Sequence, residues 1–232
     1  MKRLSAFAFA ISVFSAMPAG AAILDNFNRP DSGTLGANWT QQTGSCSITG
    51  GAADCGASGL ATYNGGSGNT VSADVFSSAS TGLDYVTLVL GFADVSNNLF
   101  IKLQSQDSIA GFEDIGFYFG NNGGNNGAWS DSGFDVSVLP NIMSAHMVLS
   151  LVGTDLNLGL DTNFDGVFDY NFVRHNVPLG LLGTGIGIGG YSQGAAYIDN
   201  FSTGGATVPE PATLALLGLG LTGLAASRWK KK

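Results

Sequence analysis

The sequence predicts an all-β fold, an antiparallel β-sandwich, and three observations carry that prediction. Between Ile23 and Thr207 no long stretch places apolar residues at helical spacing. Apolar and polar residues instead alternate with period two through one short run after another, as strands with one buried face require. Clusters of Gly, Asn, Asp and Ser separate the runs, which is turn chemistry. Many short strands, each with one apolar face, bury those faces only by stacking two sheets or closing a barrel.

The elements follow in chain order. Lys2 and Arg3 precede an uncharged, mostly apolar stretch from Leu4 to Met17, and Pro18-Ala19-Gly20-Ala21-Ala22 offers small residues for cleavage. Residues 1–22 therefore read as a secretory signal peptide, a helix lost on export. Residues 23–207 form the predicted sandwich domain. Val86, Leu88, Leu90 and Phe92 share one strand face. Leu99, Ile101 and Leu103 share another, with Lys102 and Gln104 opposite. Met147, Leu149 and Leu151 repeat the pattern, as do Leu156, Leu158 and Leu160, and Ile186 and Ile188 alternate with glycines. Gly120–Gly127 reads as a long loop, and no repeat of fixed period suggests a solenoid or propeller.

The other terminus has three parts in order. Val208-Pro209-Glu210-Pro211 is followed by an uncharged run to Ser227, then by Arg228, Trp229, Lys230, Lys231 and Lys232. Residues 212–227 are at the short edge of a membrane span, and the basic tail belongs on the cytoplasmic side. This order resembles the PEP-CTERM sorting signal of exopolysaccharide-producing Gram-negative bacteria. The resemblance implies that Pro209, Glu210 and Pro211 are read by exosortase, a membrane transpeptidase-like enzyme. It also implies an inner-membrane-anchored precursor that later becomes a cell-surface or extracellular protein.

Charge excludes several partners. Within Ile23–Thr207 the basic residues are Arg29, Lys102 and Arg174; the acidic residues number 17 − 1 (Glu210) = 16, so the net charge is 3 − 16 = −13. Nucleic-acid binding needs basic clusters and this domain has none. An anionic membrane surface is excluded as an electrostatic docking partner for the same reason.

Two phrases narrow the fold. The domain opens Leu24-Asp25-Asn26-Phe27-Asn28-Arg29-Pro30, continues Leu35-Gly36-Ala37-Asn38-Trp39-Thr40, and closes Tyr197-Ile198-Asp199-Asn200-Phe201. The opening resembles the concanavalin A-like (laminin G-like) jelly rolls of secreted bacterial proteins, which implies first and last strands side by side. An immunoglobulin-like sandwich is the alternative, disfavoured because such domains run to about 100 residues.

Candidate chemistry is sparse. Cys46 and Cys55 are the only cysteines of an exported chain. A two-residue Gly50-Gly51 turn pairs Thr49 with Ala52 and, counting outward, Cys46 with Cys55. That pair is of the close, non-hydrogen-bonded kind, within disulfide reach. The segment Asp161-Thr162-Asn163-Phe164-Asp165-Gly166-Val167-Phe168-Asp169 resembles the start of EF-hand and dockerin calcium loops, which implies Asp161, Asn163, Asp165 and Asp169 as candidate Ca²⁺ ligands. It departs from the EF-hand at the twelfth position, where Phe172 stands in place of the bidentate Glu. A polar Asp-Gly hairpin turn fits the same residues. Apolar matching of the flanking strands sets Leu160 opposite Phe168, Leu158 opposite Tyr170 and Leu156 opposite Phe172.

Catalysis finds little support. Glu113 is the single glutamate of the domain, and Glu113-Asp114 is not the Glu/Asp/Glu set of concanavalin A-like glycoside hydrolases. His146 and His175 lie in no nucleophile-elbow or zinc motif. Trp39, Tyr63 and Tyr191 are further aromatics, Trp39 reading as core. Trp129, after the Gly/Asn-rich loop, and Tyr118 are the candidate platforms for sugar rings. The sequence thus points to a non-catalytic, exosortase-sorted surface or matrix protein. A glycan-binding, lectin-like domain with extracellular polysaccharide as partner is the alternative, and a glycoside-active enzyme ranks third.

Overall fold

The computed structural model describes residues 22–56, 58–78, 84–105, 111–120, 136–191 and 196–204. The predicted signal peptide, Trp129 and everything from residue 205 onward, including Pro209, Glu210 and Pro211, lie outside them. Among the described residues no helix is long and apolar enough to cross a membrane.

Every named element is a strand. In chain order they are β1 (Ala22–Asp25), β2 (Trp39–Thr43), β3 (Ser47–Thr49), β4 (Ala52–Asp54), β5 (Gly59–Ser67), β6 (Thr70–Ser77), β7 (Asp84–Asp94) and β8 (Asn97–Ser105). Then follow β9 (Phe112–Gly120), β10 (Val136–Ile142), β11 (Ser144–Val152), β12 (Asp155–Asp161), β13 (Tyr170–Arg174), β14 (Gly185–Tyr191) and β15 (Ala196–Thr203). One sheet runs β13-β12-β11-β6-β15-β4-β3, with β1 also on β15; the other runs β10-β9-β8-β7-β14-β5-β2. We call them the β15 sheet and the β7 sheet. All pairings are antiparallel, giving the predicted sandwich.

The period-two faces meet between the sheets. Val86, Leu88, Leu90, Leu99, Ile101 and Leu103 of the β7 sheet face Val71, Ala73, Met147, Leu149, Leu156, Leu158 and Leu160 of the β15 sheet in one buried cluster. Chain entry and exit share one end of the sandwich. Ala22 lies opposite Thr203, and the Gly204 N–H donates to the Thr70 carbonyl. The opening and closing phrases also pack together, with Phe27, Tyr63 and Phe201 around the Trp39 indole.

Two expectations are corrected. Phe92 does not share the core face of Val86, Leu88 and Leu90; it packs with Leu60, Val89, Phe100 and Tyr118 on the other face of the sheet. Gly91 has φ 61°, and both flanking pairings shift register there. A bulge at a left-handed glycine re-aims the residues that follow. The β12–β13 hairpin is also two residues wider than expected. Leu160 faces Tyr170, Leu158 faces Phe172 and Leu156 faces Arg174. The cause is Phe168, whose ring lies where a Cβ on Gly159 would be, 2.7 Å away. Phe168 covers β12 instead of continuing β13, and a two-residue slip keeps the apolar faces matched.

Candidate functional site

The β3–β4 hairpin behaves as its sequence dictates. Gly50 and Gly51 take φ 62° and 82°, as a tight hairpin turn requires. Thr49 pairs with Ala52, Ile48 with Ala53 and Ser47 with Asp54. One step beyond, Cys46 and Cys55 are disulfide-bonded with Cα atoms 4.0 Å apart. Both sulfurs are buried, so the bond staples the sheet edge from inside the core.

A polar centre sits under the chain entry. Asp25 accepts the Phe27 N–H (2.8 Å), Arg29 Nη1 (2.6 Å) and Nη2 (3.0 Å), and Trp39 Nε1 (2.7 Å). Arg29 also donates to the Leu35 carbonyl. Burial raises the Asp25 carboxyl pKa, but the bonds from Arg29, Trp39 and the Phe27 amide together carry it below the ordinary aspartate value. This cluster fixes Phe27 and Trp39 in the core and is structural.

The Asp161–Asp169 loop closes on itself. The Asp161 carboxylate, buried at the end of β12, accepts N–H bonds from Asn163 (3.3 Å), Asp165 (3.3 Å) and Gly166 (2.8 Å). Asn163 Oδ1 accepts the Asp165 N–H, and Asp165 Oδ1 accepts that of Val167. Asp169 Oδ2 takes the Thr162 N–H and hydroxyl, which lower its pKa, the hydroxyl most. Among the described residues no three His, Cys, Asp or Glu side chains gather as a metal cluster. The Asp161, Asn163 and Asp165 side-chain oxygens thus accept the loop's own amides, and Asp169 is bonded to Thr162.

The histidines are engaged. His146 Nδ1 lies 2.6 Å from Asp74 Oδ1, and Asn200 Nδ2 donates to Asp74 Oδ2 at 2.7 Å. His175 Nδ1 lies 3.0 Å from Asp155 Oδ2 on an exposed edge. Among the described residues neither ring is hydrogen-bonded to a hydroxyl or thiol.

The densest chemistry lies on the outer face of the β7 sheet, where no described strand packs. Register puts Tyr85, Thr87 and Val89 of β7 beside Gln104, Lys102 and Phe100 of β8. Phe100 in turn lies beside Tyr118 of β9. Lys102 Nζ sits 4.7 Å from the Tyr85 ring centroid and 4.6 Å from that of Tyr118. The Phe100 and Tyr118 rings stack at 5.1 Å, and Tyr85 stacks on Tyr191 at 6.0 Å. Thr87, fully buried beside Lys102, has a hydroxyl with no hydrogen-bond partner among the described residues. Tyr118 is thus part of an aromatic–cationic row and is only 8% exposed. Lys102, Tyr85 and Thr87 were not singled out by motif. Their signal was the nearly unbroken run Tyr85–Leu90, since strands apolar on both faces are covered on both.

Residues 207–231 match the model of the PEP-CTERM protein-sorting motif. No curated protein matches the chain. Among solved structures, the chain is similar to the CBM2 module of the evolved Dit protein of Lactobacillus casei BL23 phage J-1. The TM-score is 0.50 at 12% identity, covering 76% of this chain and 91% of that one. It is also similar to a GlcNAcα1-4Gal-releasing endo-β-galactosidase from Clostridium perfringens, with TM-score 0.51 and 11% identity, covering 79% and 62%. Carbohydrate-binding module CBM66 from Bacillus subtilis aligns with TM-score 0.48 and 12% identity, covering 72% and 96%. At these identities the likeness speaks to the fold alone, a two-sheet antiparallel β-sandwich, consistent with the concanavalin A-like expectation.

Proposed function

We propose that this chain is a non-catalytic surface or matrix protein, exported, held as a membrane-anchored precursor and released to the surface by exosortase. The observation that carries the reading is the sorting motif at residues 207–231. It follows a domain that the sequence reads as preceded by a secretory signal and as lacking the Glu/Asp/Glu set of concanavalin A-like glycoside hydrolases. Replacing Pro209, Glu210 and Pro211 with alanines tests it: the uncleaved precursor should accumulate in the membrane. Equal release of variant and wild type overturns it.

A second reading adds a ligand to the same protein, namely an extracellular polysaccharide held on the outer face of the β7 sheet. What favours it is the row of Tyr85, Lys102 and Tyr118 on that face, together with the likeness in fold to the CBM2 module of the phage J-1 Dit protein. Trp129 is the further candidate platform. A glycan array on the oxidised domain, repeated with Lys102→Met, Tyr118→Ala and Trp129→Ala, tests this reading. Loss of a specific signal supports it, and a blank wild-type array leaves the matrix role alone. On the residue pattern we also propose the Asp161–Asp169 loop as a weak Ca²⁺ site.

A further inference from the structure

We propose that the end of the sandwich where the chain leaves toward residue 205 rests on the lipid surface of the membrane that anchors the precursor. Val152, Leu179 and Leu181 would sit in its interfacial layer. The inference rests on the sorting reading and adds to it an orientation and a contact.

Three observations converge on this end. The first is apolar exposure. Val152 at the end of β11 is 65% exposed, and Leu179 and Leu181, in the connection from β13 to β14, are 40% and 61% exposed. The Val177 N–H donates to the Thr154 carbonyl, which ties that connection to the β11–β12 turn and gathers these side chains at one end. They flank a cleft of about 450 Å³ whose apolar lining is Leu90, Leu151, Leu179 and Leu182. Exposed apolar side chains gathered at one end are the kind of surface that marks a contact site.

The second observation is the tether. The cleft is also lined by Asn69, next to Thr70, whose carbonyl takes the last described amide, that of Gly204. Ala212, the first residue of the uncharged span, follows Gly204 by eight residues. Fully extended, that length reaches about 28 Å. A precursor anchored by residues 212–227 holds this end within that reach of the bilayer. Such a tether gives a weak apolar contact a high effective concentration.

The third observation is charge. The domain carries 3 − 16 = −13 over Ile23–Thr207, yet this end is nearly balanced. Its described turns and strand ends bear Asp94 and Asp155 against Arg174, a net of −2 + 1 = −1 with histidine neutral, and Asp155 lies 3.0 Å from His175. Electrostatics does not attract the domain to lipid, but at this end it does not oppose an apolar contact.

The test uses the chain from Ile23 to Lys232 in phosphatidylcholine vesicles. Cys46 and Cys55 are bonded to each other, so a single added cysteine carries an environment-sensitive fluorophore. One variant is Leu181→Cys. The control is Phe164→Cys, an exposed position in the β12–β13 loop at the far end of the sandwich. We expect the label at 181 to shift to the blue and to be quenched by spin-labelled lipid, and the label at 164 to do neither. Vesicle flotation without lipid quenching at 181 overturns the docking and leaves the anchor intact. Absence of flotation removes the anchor itself, and docking with it. A blue shift at 181 that lipid does not quench, and that grows with protein concentration, assigns the surface to a second copy and also overturns the proposal.

Discussion

Replacing Asp25 with alanine should destabilise the domain more than any other single loss of a charged group among the described residues. Four donors converge on its two oxygens, at 2.6 to 3.0 Å. Asp25→Ala strands the buried Trp39 N–H and the Phe27 amide, and leaves the Arg29 guanidinium without its anion. An unsatisfied buried donor costs about 1–3 kcal/mol, and removing one member of a buried ion pair about 3–5 kcal/mol. Arg29 is 35% exposed, so water recovers part of that loss, and we expect about 3 kcal/mol overall. For a domain of this size that lowers the melting temperature by roughly 6–12 °C. Urea titration and calorimetry on the oxidised domain measure both. Asp25→Asn, which keeps an acceptor but not the charge, should fall between wild type and alanine. The pH dependence has a definite sign. The folded carboxyl is held below its ordinary value, so its contribution is full above the unfolded pKa of about 3.9 and is lost as pH falls through the folded value. A cost under 1 kcal/mol at neutral pH, or a cost that does not shrink in acid, would refute this account of the entry segment.

Further expectations follow. Asp199 has a raised pKa because it is buried and lies near Asp74 and Asp25, against a lowering bond from the Asn200 amide. A raised aspartate destabilises the fold when ionised, with the deficit present above its folded pKa and relieved as pH falls. Asp199→Asn should therefore stabilise the domain at neutral pH, and thermal melts showing destabilisation would contradict this. Reducing Cys46–Cys55 should cost about 2 kcal/mol, a short-loop value, without unfolding the domain, because Ala53 stays paired with Ile198. Denaturation with and without reductant decides. Millimolar Ca²⁺ should raise the melting temperature, and Asp161→Ala with Asp165→Ala should abolish the shift. An unshifted wild type would leave the loop a turn held by its own amides.

The alternation of Leu99, Ile101 and Leu103, or of Leu156, Leu158 and Leu160, was enough to assign faces, because a pleated strand leaves no other choice. The Gly50-Gly51 turn was enough to place the disulfide, since a two-residue turn fixes every pair beyond it. What sequence alone did not yield depends on events off the strand axis. The ring of Phe168 settles over Gly159 and widens a hairpin, and a bulge at Gly91 sends Phe92 to the other face. The site was harder to read than the fold. Asp25 gathers donors two, four and fourteen positions away, a spacing no strand period encodes. Lys102 enters the aromatic row only because β7, β8 and β9 lie side by side. The candidate ligands of the Asp161 loop were legible as a motif, whereas the burial of Asp161 and its capture of three amides come from its place at the end of a core strand.

A C-terminal segment that serves only as a processed delivery signal is no part of the finished protein. Intact mass and C-terminal peptide analysis of the cell-surface form test it most directly. The account predicts a chain that begins near Ile23 and ends in the Pro209–Pro211 region, without residues 212–232. A surface form that still carries Lys232 would contradict it.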